Sequence, residues 1–352
     1  MNISKISGIK IDGIYACLPN TEIDNRNAGE ELFGKSIEDL IKSTGIEKRR
    51  ICSKGTTGLD LSIKAAKGLF MADDINPMEI GGVVYVTFTP DNLMPNNSTY
   101  VQSELKLPNN IPAFDINLAC SGYPYGLWIS AMMAKNLNKK VLLLDGDKQS
   151  HITSPHDKGT ALLFSDAGSA TMLSPDNTGS QWQFAFETIG SKREVLYIED
   201  GGAKNSLSNN SFLYKTYEDG NKRRNTDIKM DGLEVFKFVA QGVKKNLTEL
   251  LNDADRKPED FDYLILHQAN LYMMKQLCKK LGFPLEKMPI TADKYGNSSS
   301  STIPVVMASE LQKPTQEKGL KLLMSGFGAG LSIGSALIEL KKDTTLGVVE
   351  YE

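Results

Sequence analysis

Cysteine is scarce and scattered in this 352-residue chain. Its four residues, Cys17, Cys52, Cys120 and Cys278, form no C-x-x-C pair and show no Cys/His spacing of the kind a zinc site needs. Neither a disulfide framework nor a structural metal is expected to organise the fold. Long apolar runs are missing as well. No stretch approaches the roughly 20 apolar residues that cross a bilayer, and Met1 to Gly13 lacks the uninterrupted apolar core of a secretory signal. A cytoplasmic protein without membrane contact is expected. Charge of one sign is lacking too: 40 basic residues stand against 43 acidic ones, a formal net charge of −3. No Lys/Arg run is long enough to track a phosphate backbone, so nucleic acid is not the expected partner. With 40% hydrophobic and 24% charged residues, the composition also argues against disorder, collagen and coiled coil.

What is present is an alternation of short apolar runs with helix-length amphipathic segments, the pattern of an α/β fold with buried strands. Strands are expected at Val83 to Phe88, Val141 to Asp145, Tyr263 to Leu266, Lys321 to Ser325 and Ser332 to Leu340. Ser174 to Asn225, rich in Gly, Ser, Asn and Lys, is expected to connect two halves. A weak internal repeat supports the division: sliding the chain by the distance from Pro77 to Pro258 aligns two units. In each, an amphipathic segment (Leu59 to Phe70; Val235 to Leu251) passes through an Asp-rich turn ending in that proline and enters an apolar strand. Cys120-Ser121-Gly122 and Asn297 to Ser301 then open corresponding helices. Two related halves would each supply part of one site.

Three polar residues stand out in that frame. Cys120 lies where an apolar approach gives way to Ser121, Gly122 and Pro124, the signature of a loop entering a helix N-terminus. A cysteine so placed is expected to have a lowered pKa and to act as a thiolate nucleophile, whereas a cysteine on an apolar helix face is an inert small hydrophobe. His267 ends the strand Tyr263 to Leu266, and strand C-terminal ends face the crevice of open α/β sheets. His151 and His156, the other two histidines, fall in a polar loop. Asn297, in Tyr295-Gly296-Asn297-Ser298-Ser299, is by itself a turn or cap residue, but the repeat puts its loop in the role of the Cys120 loop. The run Gly326 to Gly330 follows a strand without the G-x-G-x-x-G spacing of a nucleotide fingerprint. Its small residues would let the backbone N–H of Gly328 or Ala329 join that of Cys120 in an oxyanion hole.

Taken together, the chain resembles the β-ketoacyl-acyl carrier protein synthase III family of the thiolase superfamily. The resemblance rests on Leu118 to Gly122, Phe164 to Ala170, His267-Gln268-Ala269-Asn270, Tyr295 to Ser299 and Gly326 to Gly330 with Gly334 to Leu337. Thr44 to Ile46 with Arg49 and Arg50, and Glu234 to Lys237, add to it. It implies a thiolase-like five-layered αβαβα fold made of two duplicated halves, here 1–175 with the cysteine and 176–352 with the histidine and asparagine, and a homodimer. It further implies that Cys120 takes an acyl group from an acyl-CoA or acyl-carrier thioester, with no permanently bound cofactor. His267 and Asn297 would stabilise the enolate formed when malonyl-acyl carrier protein loses carbon dioxide. Lys158, Lys237, Lys279 and Lys280 are the implied carrier-protein or CoA contacts, and Met94 falls near a residue that limits acyl-chain length. Departures concern binding: Asp39 and Lys158 stand where the family stacks the CoA adenine between Trp and Arg, Ser43 where an Arg meets phosphate. Leu233 replaces a pantetheine-contacting Asn, and Tyr272 an Arg that touches the carrier. A specialised member is therefore expected.

Other readings of the same residues are acyl transfer to an oxygen or nitrogen acceptor, and an inactive partner subunit. The order Cys120, His267, Asn297 also matches a papain-like protease, whose Cys-Gly-x-Cys-Trp run is absent.

Overall fold

Strands that are apolar on both faces belong between two layers of helix, and this chain has two such sheets. The computed structural model describes residues 2–28, 37–178 and 180–352. The main strands are β1 (Ile3–Ser7), β2 (Ile9–Pro19), β3 (Ile80–Val86), β4 (Ala113–Ile116), β5 (Lys140–Lys148), β6 (Asp166–Pro175), β7 (Gln181–Thr188), β8 (Tyr263–Leu266), β9 (Leu320–Gly328), β10 (Ser332–Leu340) and β11 (Thr345–Tyr351). One six-stranded sheet has the order β11-β2-β6-β5-β3-β4, and one five-stranded sheet the order β1-β7-β10-β9-β8.

Five layers result. Helix α2 (Gly58–Ala72) packs on the outer face of the first sheet, with α3 (Asn97–Glu104) beside it. Helices α4 (Gly122–Leu137) and α8 (Thr302–Glu310) lie between the sheets, apolar almost all round as a buried helix must be. Helices α5 (Gly232–Phe238), α6 (Lys244–Asp253) and α7 (Leu271–Leu281) cover the outer face of the second sheet. This is the expected thiolase-like αβαβα arrangement. The duplication is visible in the hydrogen bonding: β2-β6-β5-β3 in one sheet has the order of β7-β10-β9-β8 in the other. Asp74 and Asp255, equivalent under the repeat, both take left-handed φ, 48° and 50°.

Two features differ from the sequence expectation. The segment from Ser174 to Asn225 is not a connection throughout, because β7 is a central strand of the second sheet. Its Trp182 and Phe184 are buried, and polar residues alternate with them, which masks the strand in a composition count. The chain ends are also exchanged across the expected 175/176 boundary: β1 pairs with β7 in the second sheet, and β11 pairs with β2 in the first. The rest of the polar segment folds as hairpins, Leu196–Tyr197 with Lys229–Met230 and Lys215–Thr216 with Lys222–Arg223.

These hairpins are clamped to the loop after β5 by Arg223, whose buried guanidinium meets Asp157 at 2.7 Å and 3.1 Å and Asp219 at 2.6 Å. Asp157 also accepts from Gly159 N and Thr160 Oγ1, holding the turn that carries Lys158. Removing one partner of a buried pair strands the other charge. We expect Arg223→Ala to cost about 3–5 kcal/mol of stability, measured as a lowered midpoint in denaturant unfolding.

Candidate active site

Cys120 sits directly before α4, with Ser121 as the N-cap, and is buried. The end of β9 is pressed against it. A Cβ built on Gly328 would stand 2.8 Å from Cys120 Cβ and 3.2 Å from Sγ, and one on Gly326 would stand 2.8 Å from the Cys120 carbonyl oxygen. Only glycine permits this approach. Ser121 Oγ and Ser332 Oγ, 2.7 Å apart, tie the two loops together behind the thiol.

His267 follows β8, its N–H donating to Ser325 O at 2.9 Å. Its Nδ1 lies 2.7 Å from Thr302 Oγ1, which is 2.9 Å from Ser299 O. The Thr302 hydroxyl has one proton, and giving it to the carbonyl leaves oxygen lone pairs for His267 Nδ1–H. That tautomer leaves Nε2 unprotonated. Phe327 stands edge-on to the imidazole, with ring centroids 5.4 Å apart.

Asn297 is held by its backbone: its N–H donates to Leu163 O at 3.0 Å, and its carbonyl accepts from Ser165 N at 2.8 Å and Gln149 Nε2 at 2.7 Å. Its Oδ1 accepts from Ser299 N at 3.0 Å, which fixes the amide orientation and frees Nδ2 to donate elsewhere.

Cys120, His267 and Asn297 line one cavity of about 370 Å³. Its mouth carries Ser43, Lys158 and the stacked pair Phe236 and Tyr272, centroids 6.0 Å apart. A second cavity of about 420 Å³ also reaches Cys120 and is walled by Phe88, Leu118, Leu196, Ile198 and Ile228. The thiol thus lies where two largely apolar chambers meet, the first of them carrying His267 and Asn297.

The electrostatics correct one expectation. Burial pushes the Cys120 thiol up to about 12, with the Ser299 hydroxyl opposing and the Asp147 charge adding to the rise. Burial likewise lowers His267 to about 3. Desolvation outweighs the helix N-terminus, so the substrate-free site holds a neutral thiol and a neutral imidazole in place of a preformed thiolate.

The other expected binding residues are dispersed. Lys158 is exposed at the cavity mouth, its backbone N–H bonded to Asn221 Oδ1. Lys237 is exposed and paired with Glu234 at 2.8 Å, while Lys279 and Lys280 occupy the last turn of α7, away from the Tyr272 end that meets the cavity. Met94 is 86% exposed and lines neither of these two chambers. Ala329 lines the second chamber, and Gly328 the first. Leu233 is exposed, and so is Asp39 on α1 (Ile37–Thr44). Sequence reasoning missed Thr302, Ser299, Gln149 and Phe327. The serine run ending in Thr302 was the available signal for two of them, but nothing in a sequence says which hydroxyl meets His267.

For a neutral resting thiol, alkylation of Cys120 by iodoacetamide is expected to be slow at pH 7 and to rise with a midpoint above pH 9. Mass spectrometry of the Cys120 peptide across a pH series checks this; a midpoint at or below the ordinary thiol range, about 8.5, contradicts it.

Comparison with known proteins gives the geometry a lineage. Residues 251–340 match the family model described as 3-oxoacyl-[acyl-carrier-protein] synthase III C terminal, and residues 114–191 match that of 3-oxoacyl-[acyl-carrier-protein] synthase III. The β-ketoacyl-[acyl-carrier-protein] synthase III of Clostridium tetani is 33% identical over 92% of this chain and 95% of its own length. That of Streptococcus mutans is 32% identical over 94% and 99%. The crystal structure of a 3-oxoacyl-(acyl-carrier protein) synthase from Burkholderia xenovorans superposes with a TM-score of 0.93 at 32% identity, covering 99% of each chain. Among the described residues no helix is long and apolar enough to cross a membrane. With that fold, and with identity to these relatives along nearly its whole length, the chain belongs to the β-ketoacyl-acyl carrier protein synthase III family of condensing enzymes.

Proposed function

We propose that this protein condenses an acyl group held on Cys120 with a malonyl-acyl carrier protein that loses carbon dioxide, with His267 and Asn297 serving the malonyl half-reaction. The observation that carries the proposal is the position of Cys120 at the junction of two chambers, one carrying His267 and Asn297 and the other walled by Phe88, Leu118 and Ile228. In the first step Cys120 Sγ attacks the donor carbonyl while its proton passes to the bare Nε2 of His267 and on to the departing thiolate. The N–H groups of Cys120 and of Ala329, beside Gly328, would hold the tetrahedral oxyanion. In the second step the bond from the malonyl α-carbon to its carboxylate breaks, and the electron pair becomes an enolate. Asn297 Nδ2–H donates to the enolate oxygen. His267 donates beside it in the tautomer protonated on Nε2, which Thr302 supports by turning its hydroxyl toward Nδ1. The carbanion attacks the acyl-enzyme, and the Cys120 thiolate leaves and takes up a proton from solvent.

The stacked Phe236 and Tyr272 give a pantetheine arm an apolar rim, with Lys158 as the cation nearest its phosphate. Carrier docking extends from Lys158; Lys237 has its charge committed to Glu234, and Lys279 and Lys280 lie farther off. The second chamber, walled by Phe88, Leu118 and Ile228, suits a donor longer than acetyl. Four free cysteines fit a reducing, cytoplasmic setting.

Incubation with a series of acyl-CoA and acyl-carrier thioesters, followed by intact-protein mass spectrometry, is expected to add one acyl mass, mapped to Cys120 and absent in Cys120→Ala. Donors of about four to eight carbons should load faster than acetyl, and carbon dioxide release should then accompany product formation from malonyl carrier. Fastest loading by acetyl would refute the chain-length reading alone, whereas acylation of Cys120→Ala would refute the nucleophile.

We further propose a homodimer built on the edge strand β4. Phe114, Leu93, Met94 and Tyr100 are exposed on or near that edge, and Asn96, in the loop bearing Leu93 and Met94, reaches Ala113 O at 3.5 Å. An unpaired edge flanked by apolar side chains is a site for strand pairing between copies. Light scattering should give twice the chain mass, and Phe114→Asp the single-chain mass.

A further inference from the structure

The second chamber is walled mostly by carbon, and among the described residues none with a charged side chain lines it. Its polar side chains are not alike. Asn117 and Tyr197 are in part open to solvent, which can supply their hydrogen bonds, whereas Gln149 is only 1% exposed. A buried carboxamide beside an acyl chain is unfavourable unless its hydrogen bonds are made, so the way Gln149 faces decides what the chamber accepts.

That orientation is fixed by geometry. Gln149 follows β5 directly, at the start of the short 3₁₀ turn Gln149–Ile152. Its Nε2 donates to Asn297 O at 2.7 Å and to Ser165 O at 3.3 Å. A primary amide has two N–H bonds, and both are used. Turning the group over would set its oxygen against two carbonyl oxygens, so these partners settle which atom is nitrogen. What remains is Oε1, an acceptor. No described residue donates to it, and it is not one of the sealed side-chain oxygens that lack a partner. It therefore opens on free space, and the free space beside Gln149 is the second chamber.

A hydrocarbon chain entering the chamber removes water from Oε1 and returns nothing, which leaves a buried acceptor unpaired. A chain carrying a hydrogen-bond donor at that level restores the bond. The donor must be neutral, because an ammonium group would find no carboxylate in this lining to meet it. A keto oxygen has no proton to give. A hydroxyl meets both conditions.

We propose that Gln149 is a specificity-determining residue of the second chamber, and that the acyl group it selects bears a neutral hydroxyl donating to Oε1. The rest of such a chain lies against Phe88, Leu118, Leu196, Ile198 and Ile228, so the hydroxyl is a single polar point on an otherwise apolar group. Because the same amide is bonded to the Asn297 carbonyl, the selecting group and the malonyl-side asparagine share one anchor. This selectivity rests on the reading of Cys120 as the residue that holds the acyl group.

Intact-protein mass spectrometry would follow loading of Cys120 by butyryl- and hexanoyl-CoA, by their hydroxyl derivatives with the group moved along the chain, and by the keto analogue of the fastest derivative. At one hydroxyl position the derivative is expected to load about 10- to 100-fold faster than its parent, while the keto analogue gains nothing. In Gln149→Leu that preference should disappear. Equal loading of every hydroxyl derivative and its parent by the native protein overturns the proposal, and so does a preference that survives Gln149→Leu. If Gln149→Leu does not fold, the native protein decides: equal rates for the hydroxyl and keto compounds refute donation to Oε1, and a slower keto compound supports it. Calorimetric binding of the same thioesters to Cys120→Ala separates this selectivity from the reading beneath it. If no donor loads Cys120 but binding keeps the hydroxyl preference, the nucleophile assignment fails and Gln149 stands. Loading without preference refutes the role of Gln149 alone, and the absence of both loading and binding preference refutes the two together.

Discussion

The close approach of β9 to the loop before α4 is the constraint on which the rest of the site depends. Gly326 and Gly328, two apart on a strand and so on one face, leave no room for a Cβ between that strand and Cys120. This contact docks the second half of the chain on the first. It also fixes where the histidine and asparagine arrive, because β8 is the parallel neighbour of β9 and Asn297 is bridged to Phe164 ahead of β6. A single methyl group at Gly328 would push Cys120 away from both. The helices α4 and α8, packed between the sheets, lock that distance by burying the faces they turn to both sheets.

Burial decides the electrostatics as well. A helix N-terminus contributes on the order of 0.3–1 kcal/mol to a nearby anion, whereas removing a charge from water in so enclosed a place costs several. The thiol and the imidazole are both neutral for this reason, and hydrogen bonds rather than charge arrange them. Thr302 sets the imidazole tautomer and Ser299 sets the asparagine amide. A site of neutral, oriented groups binds a negatively charged malonyl thioester without a competing ion pair to break, and supplies a donor where enolate charge develops.

Much of the architecture was legible. Periodicity and punctuation located β8 and β10 to the residue, and the proline offset exposed the duplication, because the same turn is built twice from the same residue types. The strand β7 was hidden by its own alternation, since Gln181, Gln183 and Glu187 dilute the aromatic face that enters the core. The chain-end exchange was hidden for a different reason: β1 and β11 pair with strands far away in sequence, and no local pattern encodes a partner.

At the site, the sequence by itself determined the residue types: a cysteine entering a helix, a histidine leaving a buried strand, an asparagine in a small polar loop and glycines facing them. Local chemistry specifies such things, because capping, strand exit and backbone permissiveness act over a few residues. Only the tertiary structure decided the protonation of Cys120 and His267, the junction of the two chambers, the placement of Lys237 and Met94 away from them, and the convergence of Ser299 with Asn297 and Thr302. Most of these depend on solvent exclusion or on distances between segments more than a hundred residues apart, quantities that exist only once the layers have closed.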